Sequence, residues 1–198
     1  MTASERIGVT GQQTSHRSAD SLTAAPSRAF RFVAGMLRLS LGWVFLWAFL
    51  DKAFALGFNT GRNPDTGVVT RFGDAAWNHG GSPTLGFLKF GTEGPLAGFY
   101  QSFAGATWAD WLFMTALLGI GLALMLGVAM RITAVSGVAL LIMMWSAVLP
   151  TANNPFMDDH IIYALTLVTL TLAGAGSWLG LGQAWSRLGI VQRHSFLR

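Results

Sequence analysis

Cysteine is absent from the 198 residues. That excludes disulfides, thiol redox chemistry, Cys-ligated iron–sulfur clusters and covalently attached c-type haem. Charge is scarce too. Only 11% of residues are Asp, Glu, Lys or Arg, against about a quarter in a soluble domain. Of the four histidines, His16, His79 and His194 fall in tails or loops, and only His160 borders an apolar run. A haem held by two intramembrane histidines therefore lacks a second ligand. No G-x-G-x-x-G opens a helix after a strand, so the usual signal for flavin or nicotinamide binding is missing. The alternating segments of about ten residues that build membrane barrels do not occur. Neither does the inverted repeat or midplane helix break typical of transporters.

What the chain does have is apolar residues, 52% of the total. They gather in four runs: roughly Phe30 to Leu56, Trp111 to Met130, Ile132 to Leu149 and His160 to Leu181. Each is near the ~20 residues that cross ~30 Å of hydrocarbon as a helix. The reading is an all-α integral membrane four-helix bundle, with a long, partly ordered outer loop between the first two helices. Residues 1–28 are polar, lack an apolar leader core, and are expected to be a disordered cytoplasmic tail. Residues 29–185 form the transmembrane domain. Residues 186–198 mix Leu188, Ile190 and Val191 with Arg187 and Arg193, as a basic amphipathic cytoplasmic tail would.

The net charge of +4 follows this topology. Arg6, Arg17, Arg28, Arg31, Arg131, Arg187, Arg193 and Arg198 fall at one end if four spans alternate, and most acids fall at the other. The positive-inside rule makes the basic end cytoplasmic, with both termini there. No nucleic-acid partner is implied. The loop from about Gly57 to Asp110 is rich in aromatics, including Trp77, Phe87, Tyr100 and Trp108. It is expected either to cap the outer mouth or to pack on the membrane surface, with "GPLAGFYQSFAG" as a short interfacial helix.

Ionisable residues inside a span are costly and so call for a role. The first run contains Arg38, Asp51 and Lys52. At about 100° per residue, Arg38 and Lys52 share one stripe with Gly42, Phe45 and Phe49, whereas Asp51 lies with Val44 and Trp47. Adjacent Asp51 and Lys52 thus do not face each other. Arg38 is expected to snorkel to the head groups; Asp51 is too short to do so. In "NNPFMDDHIIYAL", Asn154 and Pro155 suit the N-cap and first helical position. Asp158, Asp159, His160 and Tyr163 then lie at the outer end, at the depth of Asp51 and Lys52. The expectation is one polar pocket, with Lys52 paired to Asp158 or Asp159 and Asp51 paired to His160. A metal at Asp158, Asp159 and His160 is disfavoured, because consecutive helical residues diverge. Gly119, Gly121, Gly127, Gly174 and Gly176 would permit close helix packing.

The segments "LRLSLGWVFLWAFLDKAF", "LLGIGLALMLGVAMRITA" and "NNPFMDDHIIYAL" resemble the DoxX/DoxD family of small bacterial membrane proteins, most closely its actinobacterial members. The resemblance spans Phe30 to Trp185. It implies a bacterial plasma-membrane four-helix bundle, and it offers a thiosulfate:quinone oxidoreductase subunit as the type activity. On that reading Asp51, Lys52 and His160 are catalytic, while Trp47, Asp158, Asp159 and Tyr163 line a substrate or quinone site. Lys52 would attract the sulfur dianion, and the acids, His160 and Tyr163 would exchange protons with the quinone. Quinone is the acceptor, no cofactor is resident, and partners are the lipid bilayer, a second membrane or periplasmic redox subunit, or a further copy of the chain. The competing expectation is a non-catalytic accessory or assembly subunit of a membrane redox or respiratory complex.

Overall fold

The computed structural model describes residues 25–197. The tail expected over residues 1–28 therefore lies outside them up to residue 24. The described part of the N-terminal unit, up to Arg31, holds only the start of the first helix. There Ser27 Oγ accepts from Phe30 N–H at 3.2 Å and closes the first turn.

The chain is helical, and among the described residues no strand forms beyond an isolated bridge between Arg62 and Val69. The helices are α1 (Arg28–Phe54), α2 (Leu85–Phe90), α3 (Ala97–Gln101), α4 (Thr107–Leu126), α5 (Met130–Ala147), α6 (Asp159–Leu172), α7 (Gly182–Ser186) and α8 (Gly189–Arg193). Short 3₁₀ turns cover Trp77–His79, Gly94–Leu96, Ala175–Ser177 and Ser195–Leu197. Helices α1, α4 and α5 each contain an apolar stretch, and have the length, to cross a bilayer. Their outward side chains are apolar and uncovered, as at Leu112, Trp111 and Val135. In water such a surface would aggregate; here it marks a membrane protein with a lipid-facing surface.

Helix α6 is shorter than the apolar run that contains it. Its 14 residues span ~21 Å at 1.5 Å per residue. It stops at Leu172 because Gly174 turns left-handed at φ 71° and starts the Ala175–Ser177 turn. It also starts later than expected. Asn154 Oδ1 accepts from Phe156 and Met157 N–H, both at 2.9 Å, and closes a local turn that does not continue as helix. The N-cap is Asp158, which accepts from His160 and Ile161 N–H. A carboxylate with extended backbone just ahead of the apolar run outcompetes Asn154 for this place.

Close packing falls where glycines lie. A Cβ on Gly42 would be 2.9 Å from the Leu124 Cβ, and one on Gly121 would be 2.8 Å from the Leu46 backbone nitrogen. So α1 and α4 run antiparallel nearly backbone to backbone. Gly137 on α5 instead leaves room for the end of the Leu167 side chain of α6. Leu41, Phe45, Met114, Leu117, Ile120, Leu140, Leu167 and Leu170 fill the space between. Of the glycines expected at helix contacts, Gly121, Gly127 and Gly176 are at close approaches, but Gly119 and Gly174 face open space.

The segment between α1 and α4 is held to the helix ends. Tyr100, on α3, buries its ring and shares a 2.6 Å hydrogen bond with Ser146 of α5. The stretch "GPLAGFYQSFAG" is helical over Gly94–Leu96 and Ala97–Gln101. Substituting Gly121→Val should lower the thermal unfolding midpoint in detergent, with a loss of about 1–3 kcal/mol from overpacking. Gly119→Ala should leave the midpoint unchanged. Equal midpoints for the two variants would contradict backbone-level contact between α1 and α4.

Candidate functional site

The last three turns or so of α1 bring Trp43, Trp47 and Asp51 onto one face, each four residues from the next. Asp51 is 1% exposed. Its Oδ1 accepts from Phe58 N–H at 3.1 Å, and its Oδ2 accepts from Asn59 and Thr60 N–H at 2.9 and 3.0 Å. The chain leaves α1 through Ala55, a non-glycine at φ 49°, and Gly57 at φ 91°, and then folds back over the helix end. The carboxylate thus organises the reversal. It also sets Phe58 edge-on to Trp47, with centroids 5.0 Å apart. The result is an open groove of about 410 Å³ lined by Trp43, Val44, Trp47, Ala48, Asp51 and Asn59.

Lys52 points elsewhere, as the helical geometry requires. Its ammonium lies 6.0 Å from the centroid of Phe113 on α4, the outer limit of a cation–π contact. No carboxylate among the described residues is within ion-pair distance of it. The expected pairing of Lys52 with Asp158 or Asp159 is therefore not made. Nor is the pairing of Asp51 with His160. His160 Nδ1 instead meets Asp158 Oδ2 at 2.6 Å. A carboxylate can only accept, so Nδ1 carries the hydrogen. The physical reason is local: the cap turn already presents Asp158 to a residue two positions on, whereas Asp51 already accepts from three backbone N–H groups. Asp159 is exposed, and Tyr163 is half-buried against the core. The structure thus joins Trp47 to Asp51 and Asp158 to His160, and it leaves Lys52, Asp159 and Tyr163 outside both pairs. Among the described residues, no three His, Asp or Glu side chains converge as a metal would need.

Two polar residues matter more than side-chain types alone reveal. Arg38 does not snorkel; it is 0% exposed. Its Nη1 donates to Leu124 O and, at 3.2 Å, to Met125 O, at the C-terminal end of α4. Its Nη2 donates to Trp178 O and Leu179 O at 3.1 and 2.9 Å. A Cβ on Gly180 would sit 2.9 Å from Nη2, and one on Gly127 would sit 3.2 Å from Nη1. Those glycines are the signal that room is kept for the guanidinium. Asp110, in the first turn of α4, is buried, and its Oδ1 accepts from Ser82 Oγ, Thr84 N and Thr84 Oγ1 at 2.8, 3.0 and 2.6 Å. The hydroxyl-rich "SPT" at 82–84 is its sequence counterpart.

Compared with known proteins, the chain matches no family model, no curated protein and no solved structure.

Replacing Asp51 with Ala or Asn should release the 58–60 reversal. Asn keeps one acceptor but turns an amide donor toward N–H groups, so it should be no better than Ala. Amide hydrogen exchange at Phe58, Asn59 and Thr60 should rise by roughly tenfold in both variants. Unchanged exchange would show that the carboxylate does not hold the turn.

Proposed function

We propose that the chain is a four-helix integral membrane bundle of the DoxX/DoxD type acting as an accessory or assembly subunit of a bacterial membrane redox or respiratory complex. Helices α1, α4, α5 and α6 are the spans, and the Ala175–Ser177 turn adds depth to α6. The 55–106 segment lies at the outer mouth, with both termini cytoplasmic. The observation that carries this reading is the use of its intramembrane polar groups. Arg38, Asp51, Asp110 and Asp158 all hydrogen-bond to the chain's own backbone. Three hydrogen bonds gathered on one carboxylate fix the chain around it, and a scaffold is what such bonding builds.

The groove beside Asp51 favours a second reading, a quinone-linked subunit with candidate thiosulfate:quinone oxidoreductase activity. Trp43 and Trp47 offer ring faces to a planar head group, and Asn59 at the rim offers a polar contact. The groove lies on the apolar α1 surface, so an isoprenoid tail would remain in lipid. Lys52 would draw a sulfur dianion from the adjacent face.

The two readings separate in two measurements. The purified chain in nanodiscs is given thiosulfate and a quinone analogue, and affinity-purified membranes are analysed for co-purifying redox subunits. The accessory reading expects stable co-purification and no turnover by the chain alone. Turnover that Trp47→Ala or Lys52→Ala reduces by tenfold or more would overturn it in favour of the enzyme.

A further inference from the structure

The tight turn after α4 places Arg131 at the start of α5. From it an open groove of about 450 Å³ runs along α5, lined by Arg131, Ile132, Val135, Ser136, Ala139 and Phe196. The groove is polar at one end only. Ser136 Oγ donates back to Ile132 O at 2.9 Å, so its hydroxyl hydrogen serves its own helix. Val135 is 74% exposed and forms part of the apolar floor. The far wall is a built feature. Phe196 belongs to the Ser195–Leu197 turn, which packs on α5. Trp185 Nε1 donates to Leu197 O at 2.6 Å, and Val191 of α8 is fully buried.

A cation at the end of an apolar groove, on a lipid-facing helix, matches a one-headed amphiphile. We propose that this groove seats one anionic phospholipid, with its phosphate on Arg131 and an acyl chain along Ile132, Val135 and Ala139 against Phe196. Charge complementarity selects this occupant. Arg187 and Arg193, both exposed, come from the C-terminal segment that supplies Phe196. The sequence contains no Asp or Glu from Trp111 to Met157, nor from His160 to Arg198. A second copy that met this groove with its own α5 would bring no carboxylate to Arg131. Basic pockets at the head-group level of a span recognise anionic lipids in this way.

The test is native mass spectrometry of the full chain in detergent, titrated with short-chain phosphatidylglycerol or phosphatidylcholine. Phosphatidylglycerol should bind roughly fivefold tighter, the effect of about one charge at a membrane surface. Arg131→Gln should abolish that preference, and Arg131→Lys should keep it. Ala139→Trp should weaken both lipids about equally by filling the tail path, and Arg71→Gln, in the α1–α4 segment, should change nothing. Excess inorganic phosphate should not displace the lipid. Equal binding of the two lipids, a preference that survives Arg131→Gln, or displacement by phosphate alone would overturn the proposal. So would a dimer mass that Ala139→Trp removes, because a second copy would then occupy the groove.

Discussion

The Arg38 guanidinium holds together three parts of the chain that are remote in sequence. One edge of its planar fork takes the last carbonyls of α4, and the other takes the carbonyls of Trp178 and Leu179. A buried cation is tolerated only where polar groups replace its water. Here the replacements are main-chain carbonyls, two of them at the negative end of a helix dipole. Lysine has one nitrogen and could not address both edges. The surrounding glycines follow from the same constraint. Gly127 and Gly180 leave space for the fork, and Gly176 lets the α6–α7 connection lie against the α4–α5 turn. Leu181 N–H then reaches Leu126 O at 2.7 Å and seals the junction.

The opposite ends of the helices use the inverse chemistry. There the buried groups are carboxylates, and the chain supplies donors. Asp51 gathers three successive amides at the end of α1, and Asp110 gathers Ser82 and Thr84 at the start of α4. Asp158 caps α6 and holds His160. A cation on carbonyls at one end and anions on amides and hydroxyls at the other tie these four charged side chains to the chain itself. Two open grooves combine apolar surface with a few polar groups: the Trp43–Trp47 groove with Asp51 and Asn59, and the α5 groove with Arg131 and Ser136.

Much of this was legible from residues alone. The runs around Phe30–Leu56, Trp111–Met130 and Ile132–Leu149 have the length and composition of α1, α4 and α5, and low charge pointed to lipid. The geometry of successive helical residues correctly separates Asp51 from Lys52. The partners were not legible, for a physical reason. A helical wheel states which face a residue occupies, but the groups that satisfy Arg38, Asp51 and Asp110 are largely backbone N–H and C=O, which every residue carries. Side-chain chemistry pointed Asp51 to His160, whereas a nearby loop supplied three amides first. The end of α6 was also misjudged, because "TLAGAGSWLGL" stays apolar after Gly174 has broken the helix.

The most direct measurement compares the wild type with Arg38→Lys and Arg38→Met by thermal unfolding in one detergent. If the fork across four carbonyls joins α1, α4 and the segment after α6, both variants should lose about 3–5 kcal/mol, because one ammonium cannot replace the two edges. An Arg38→Lys protein as stable as wild type would contradict this, since positive charge alone would then suffice at residue 38.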